Sequence, residues 1–408
     1  MYTAAPSDSP PPGGNRSIKG GSLIAYLTAL IALGSISMST YLAAMHAISI
    51  ELRATLSQVQ GTFSSYLAGY AIGNLLHGPL SDRFGRKPTI AISLALYIVA
   101  SLAAAFVWTI GQLGALRFFQ GLAACAGPII GRAVIRDSFN GTSLARAFSL
   151  LSLAMGVAPA IGPFIGGVLQ SWYGWQACFW FMTIYAVILL TIALWLFKES
   201  NASAGKIPIG PAGLLSVFRE LICNRVFSGL AISFALGNAG WFLFMSVSPF
   251  LFMEQLDVPP VEFGVLSMVP IVGFVGGNLL QQRLQARASL GSRIAVGFML
   301  MLSASLAMVL FSAEPGKLRL LTPMIVYMGG LGIVMPTHMS SALSPFPHVA
   351  GSASTLLGFF QLSAGAMASA FSARIYSDRM TEPGLLTLGF VLAAIVVLII
   401  TRPWQDSS

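Results

Sequence analysis

Twelve times along this 408-residue chain an apolar run of about 20 residues recurs, the length a helix needs to cross the hydrocarbon of a bilayer. The runs begin near Ser22, Val59, Pro88, Gly111, Leu144 and Trp175, then near Phe227, Val261, Ser292, Leu320, Gly351 and Leu385. In hydrocarbon every backbone N–H and C=O must be satisfied within the segment, so each run is expected to be a helix. Charged residues make up 9% of the sequence and mean hydropathy is +0.80, whereas soluble domains are about 25% charged. The fold class is therefore an all-α integral membrane protein with twelve transmembrane helices and no room for a soluble domain.

The longest polar interval between runs, 198–224, divides the chain into six-helix bundles at 21–197 and 225–402, with polar tails at 1–20 and 403–408. Within the interval, Gly213 to Leu221 reads as a short amphipathic surface helix with Arg219 and Glu220 toward water. If both termini are cytoplasmic, most lysines and arginines fall on that side. Outside lie Arg53, Lys317, Arg319, Arg374 and Arg379, and Arg117 falls within a span. This is the positive-inside bias. The pI near 9.7 thus marks anionic membrane lipid as a partner and not nucleic acid. The Pro/Gly/Ser-rich start lacks the features of a secretory signal. Cys125 and Cys178 fall in spans and Cys223 in the linker, so no disulfide framework is expected. No His/Cys/Asp cluster has metal-ligand spacing and no glycine loop cradles phosphate, so neither an enzyme, a cofactor nor a metal is expected.

Between the second and third runs lies Gly78-Pro-Leu-Ser-Asp82-Arg83-Phe-Gly85-Arg86-Lys87. Its spacing, G-x-x-x-D-R-x-G-R-K, resembles the loop between the second and third spans of major facilitator superfamily transporters. A weaker echo, Gly277-x-x-x-Gln281-Gln282-Arg283, occupies the equivalent loop of the second half. The resemblance implies two pseudo-symmetric bundles with a substrate site between them at the midplane. It also implies a conformational latch: Asp82 near the start of the eleventh helix at Gly351, and Arg86 paired with Asp137.

Two further segments extend the likeness. Leu113-x-x-x-Arg117-x-x-Gln120-Gly121 resembles the superfamily's fourth-span motif, and Gly156-Val-Ala-Pro159-Ala-Ile-Gly162-Pro163-Phe-Ile-Gly166-Gly167 resembles the fifth-span signature of its antiporters. The small residues offer a smooth packing face, and the prolines remove helix bonds and permit a bend. Gly174-Trp175, Phe179-Trp180-Phe181 and the run from Ser344 to Ser354 are similar to the Bcr/CflA branch of the twelve-span drug:proton antiporters. Membership there implies multidrug efflux from a cell membrane, the bacterial inner membrane, by a monomer.

One departure matters. Where the branch carries a first-span aspartate, this chain reads Ser39-Thr40-Tyr41-Leu42-Ala43-Ala44-Met45-His46. None of the thirteen acidic residues falls at mid-membrane, so Arg117 has no acidic partner there. It either snorkels to the outer interface or faces the cavity as a cation that binds substrate or couples to protons. Any proton coupling would then use His46 or His338, histidine being suited to exchange at physiological pH. Tyr41, Asn238, Trp241, Phe242, Met245, Met335 and Gln361 complete the candidate cavity wall, together with Ser39, Arg117 and Gln120. The expected function is secondary-active transport of a small amphiphilic molecule, drug or metabolite efflux by alternating access. The alternative is an importer or exchanger of an organic anion, such as a siderophore or carboxylated metabolite.

Overall fold

The computed structural model describes residues 20–195, 197–200, 211–313, 316–375 and 381–404. The expected tail at 1–20, apart from residue 20, and 201–210 of the linker lie outside the described residues, as do 405–408 of the end tail. At four of the described helix starts the N-cap side chain takes an orphan amide of the first turn. Thr55 and Thr109 each form a capping box, with Gln58 and Gln112 respectively. Asn224 accepts from Phe227 N–H and Ser289 from Ser292 N–H. Each such start lies at the end of an apolar run, where the helix would otherwise present bare donors to the interface.

The first half runs α1 (Gly20–Glu51), α2 (Leu56–Phe84), α3 (Arg86–Ala104), α4 (Ile110–Ala124), α5 (Ala126–Ser138), α6 (Gly141–Tyr173) and α7 (Gln176–Trp195). Helices α4 and α5 form one span broken at Cys125. A surface helix, α8 (Pro211–Cys223), follows, with Arg219 and Glu220 exposed and Leu221 buried. The second half runs α9 (Arg225–Phe250), continued by a π-turn at Leu251–Gln255, then α10 (Pro260–Leu266) and α11 (Pro270–Gln285) as one span. It finishes with α12 (Leu290–Leu310), α13 (Lys317–Leu343), α14 (Ala350–Ile375) and α15 (Thr381–Thr401). Among the described residues, ten spans are apolar enough on length and hydropathy alone to cross a membrane. Helices α2 and α6 complete twelve. Polar groups along α2, such as Gln60, Asn74 and His77, are buried against neighbours and not turned to lipid.

Lipid chains are as apolar as leucine, so helices here associate through close backbone packing. Helix α2 meets α4 at Gly69 and Gly121; an added methyl at either would run into a carbonyl of the other helix, Phe118 O or Tyr66 O. The second half repeats the device between α11 and α13, where Gly273 abuts Ile325 O and Gly277 abuts Gly329 O. The packing repeat thus relates Gly69 and Gly73 of α2 to Gly273 and Gly277 of α11, whereas Gly78, the residue Gly277 echoes in the sequence, meets open space. Helix α6 stays continuous through Pro159 and Pro163.

The bundles meet along three seams. Gly167 of α6 abuts Pro260 of α10, and a methyl added to Gly264 of α10 would stand only 2.7 Å from Pro163 O. Asn74 of α2 packs on Gly358 of α14. At the outer end of α1, His46 Nδ1 lies 4.0 Å from Glu254 Oε2 in the π-turn after α9.

Candidate functional site

Between the two bundles, in the outer half of the spans, lies a pocket of about 420 Å³. That space includes open solvent and encloses little room of its own, so the two walls lie nearly shut against each other. Leu42 of α1 and Pro159 and Pro163 of α6 form one wall. Trp241, Phe244, Met245 and Ser248 of α9 form the other, and Phe252, Leu266, Ser267, Pro270, Ile271 and Leu321 complete the lining. No lining residue is charged or titratable. The two hydroxyls donate within their own helices, Ser248 to Met245 O at 3.3 Å and Ser267 to Phe263 O at 2.8 Å, and so offer acceptor oxygens only. Trp241 stacks on Phe244, ring centres 6.2 Å apart at 24°. The surface is suited to flat, apolar molecules held by dispersion and soft thioether contact.

Of the wall residues expected from sequence, Trp241 and Met245 line this pocket and the others sit elsewhere. Asn238 and Gln361 satisfy each other across α9 and α14: Gln361 Nε2 donates to Asn238 Oδ1 at 2.9 Å, and Asn238 Nδ2 to Phe234 O at 2.9 Å. Phe242 is buried under Gly365, and Met335 is half-buried on α13. Phe244, Ser248 and Phe252 join the wall without having stood out in the sequence. The three-to-four spacing from Trp241 along α9 is the signal that points to them.

Arg117 differs from both sequence expectations. It neither snorkels outward nor faces the cleft; it is 0% exposed inside the first bundle. Its guanidinium carbon lies 4.1 Å from the Tyr41 ring centre and 4.2 Å from that of Tyr66. Nη1 donates to Gln120 Oε1, and Gln120 Nε2 donates onward to Ser101 Oγ at 2.7 Å and Met182 Sδ at 3.4 Å. Tyr41 and Tyr66 are held in turn, by Thr62 Oγ1 and by Gly34 O at 2.9 Å. A charge at this depth costs at least about 2.5–3.5 kcal/mol on insertion scales. Two desolvated cation–π contacts at about 2 kcal/mol each offset part of that without a carboxylate, while Nε and Nη2 are buried with no hydrogen-bond partner among the described residues. Arg117, Gln120 and Tyr41 are therefore packed together inside the first bundle, away from the pocket lining.

Ser39, at the position where the resembled branch carries an aspartate, is fully buried, donates to Ser35 O at 2.7 Å and packs on Gly162 of α6. His338 is 0% exposed: Nδ1 lies 2.9 Å from Val334 O and Nε2 3.1 Å from Ser233 Oγ, between the rings of Phe234 and Phe298. It is held within the second bundle, away from the pocket lining. His46, by contrast, sits at the seam opposite Glu254.

The proline–glycine segment of α6 divides its labour. Gly162 and Gly166 pack inward on α1 and Gly167 reaches across to α10, while Gly156 meets open space. At the other membrane face, Arg86 is 5% exposed and is the hub of the charged loop. Nη1 donates to Asp82 Oδ1 at 2.6 Å and Ser81 Oγ at 2.7 Å, and Nε to Asp137 Oδ2 at 3.3 Å. Gly85, at φ +98°, is the only residue between α2 and α3, a conformation an L side chain resists. Arg83 is exposed over the Phe84 ring, and Gly78 and Gly351 have open space about their Cα atoms.

Two six-helix bundles closing around a pocket, with a charged hub at one membrane face, define a multi-pass membrane carrier. The chain belongs to the Major Facilitator Superfamily, whose sequence profile matches residues 25–370. It is 27% identical to multidrug resistance protein D of Escherichia coli strain K12 over 380 residues, covering 93% of this chain and 94% of that one. It is 24% identical to a bicyclomycin resistance protein homologue of Haemophilus influenzae, covering 88% and 92%. Among solved structures, a bacterial homologue of the human lysosomal transporter Spinster, inward-facing and occupied, shares the fold with a TM-score of 0.76 at 15% identity, covering 94% and 97%. A D-xylose–proton symporter does so with a TM-score of 0.71 at 14% identity, covering 92% and 96%. The protein is a transporter of the cell membrane.

Proposed function

We propose that the chain is a secondary-active exporter of small, largely uncharged aromatic or amphiphilic molecules, working by alternating access. The uncharged, aromatic lining between the bundles carries this conclusion: once the walls part it suits apolar ligands and gives an anion no counter-charge. With Arg117 enclosed, nothing on the pocket wall favours import of a carboxylate. The names of the relatives, multidrug and bicyclomycin resistance, agree with efflux. The test is transport into inverted vesicles of three size-matched probes: a neutral aromatic, a lipophilic cation and a carboxylate. The neutral probe is expected to move fastest. Trp241→Ala is expected to slow it about ten-fold or more, the loss of one well-packed aromatic contact. Preferential transport of the carboxylate, or indifference to Trp241→Ala, would overturn the assignment.

His46 and Glu254 are proposed as an outer gate, since they are charged or chargeable groups facing each other across the seam. Such a half-exposed pair is worth about 0.2–1 kcal/mol. Glu254→Gln is therefore expected to speed reaction of a cysteine at Ser248 with an impermeant thiol reagent by up to about five-fold. An unchanged rate would remove the pair from the gate.

A further inference from the structure

The loop between α2 and α3 carries a second set of contacts beyond the Arg86 hub. A side chain at Gly85 would run onto the Glu199 carboxylate, whose Oε2 lies 2.6 Å from the position a Cβ would take. Glu199 follows α7 and stands at the head of the linker. Its two oxygens accept the first two backbone amides of α3, Oε1 from Arg86 N–H and Oε2 from Lys87 N–H, both at 2.9 Å. Gly85, the residue before α3, has no side chain to supply such a cap. In return, Lys87 Nζ donates to Leu194 O, in the last turn of α7, at 2.8 Å. An anion thus sits on a helix N-terminus and a cation on a helix C-terminus, the two placements the helix dipole favours.

We infer that Glu199 is a positioning residue of the transport cycle, fastening the head of the inter-bundle linker to the cytoplasmic latch. The inference rests on the Arg86–Asp82–Asp137 hub being that latch. Arg86 is the joint: its backbone amide is held by Glu199 and its guanidinium by Asp82, Ser81 and Asp137. By clamping α3 at its first turn, Glu199 fixes where the guanidinium points. Movement of the linker as the bundles rock is therefore transmitted to Arg86.

The test uses the full chain in lipid nanodiscs with Cys223→Ser, and electron–electron distance measurements between spin labels at positions 140 and 344. Those positions lie at the cytoplasmic ends of α6 and α13. Glu199→Gln is expected to raise the ratio of cytoplasm-open to closed molecules about 2- to 5-fold, the range of a lost helix-end charge. Asp137→Asn is expected to shift it the same way. Lys87→Met removes the other half of the clasp without touching Glu199 and is expected to follow. The exchange Lys87→Glu with Glu199→Lys is expected to stay shifted, because it puts each charge on the wrong helix end. If Asp137→Asn shifts the ratio but Glu199→Gln and Lys87→Met do not, the inference fails and the latch stands. If none shifts it, both fail. Recovery in the exchanged pair would replace reciprocal capping with a plain ion pair and overturn the inference.

Discussion

Arg117→Ala is expected to deplete folded protein from the membrane and to lower the thermal stability of what remains. The side chain is fully buried between two tyrosine rings, and its removal leaves a void the packed α2–α4 contact cannot collapse to fill, since Gly69 and Gly121 already bring those backbones together. Truncating a large buried side chain costs about 3–5 kcal/mol, and the Gln120 carbonyl loses its donor as well. Arg117→Lys restores the charge but not the planar cation that lies against both rings, so it is expected to recover little. Arg117→Met keeps much of the volume and discards the charge. Because the desolvation cost goes with the charge, it is expected to stay within about 1–2 kcal/mol of the parent. Fluorescence-detected size-exclusion after graded heating orders the four proteins. Equal stability of Arg117→Ala and parent would refute the enclosed-core assignment.

How far the sequence reveals this arrangement depends on the range over which each feature acts. Span lengths follow from local hydropathy, and helix starts at Thr55 and Thr109 from residues three positions apart. The echo of Gly78 at Gly277 is legible because the second half repeats the first, but the packing of Gly277 on α13 is not, since Gly78 meets open space. The direction Arg117 faces is not. In water, polarity marks the outer face of a helix, but a helix in lipid is apolar on every side, so an isolated arginine has no local frame to orient it. The pocket is half legible for a related reason. Trp241 and Met245 announce a soft aromatic surface, but the opposite wall is Pro159 and Pro163, residues that read alone as a bend. Glu199 is unreadable because its partners at Arg86 and Lys87 are more than 110 positions away. Ser39 stands where the branch carries its first-span aspartate; serine cannot exchange protons there, and its contacts are with Ser35 O and Gly162.

Asp82→Asn is expected to abolish transport while leaving the protein in the membrane. Two carboxylates, Asp82 and Asp137, converge on one guanidinium, so the hub carries a net charge of −1 with Arg86 as its centre. Asp82 contributes the shorter of the two ion pairs, and hydrogen bonds to charged groups are worth about 1.5–3 kcal/mol when well formed. Its carboxylate is half exposed, at 51%, so solvent screening discounts that figure and the fold survives its neutralisation. The arrangement of Arg86 does not: asparagine keeps one acceptor but no charge to oppose the pull of Asp137, and the guanidinium is free to leave the loop. Arg86→Ala should be harsher, because it leaves two carboxylates facing each other and strips the Ser81 hydroxyl of its donor. The expected order of thermal stability is parent, then Asp82→Asn, then Arg86→Ala, with transport lost in both variants. Vesicle transport and a melting series on the same preparations measure both quantities. Normal transport by Asp82→Asn would show that the hub is a structural staple, and the bundles would then need another device to time their rocking.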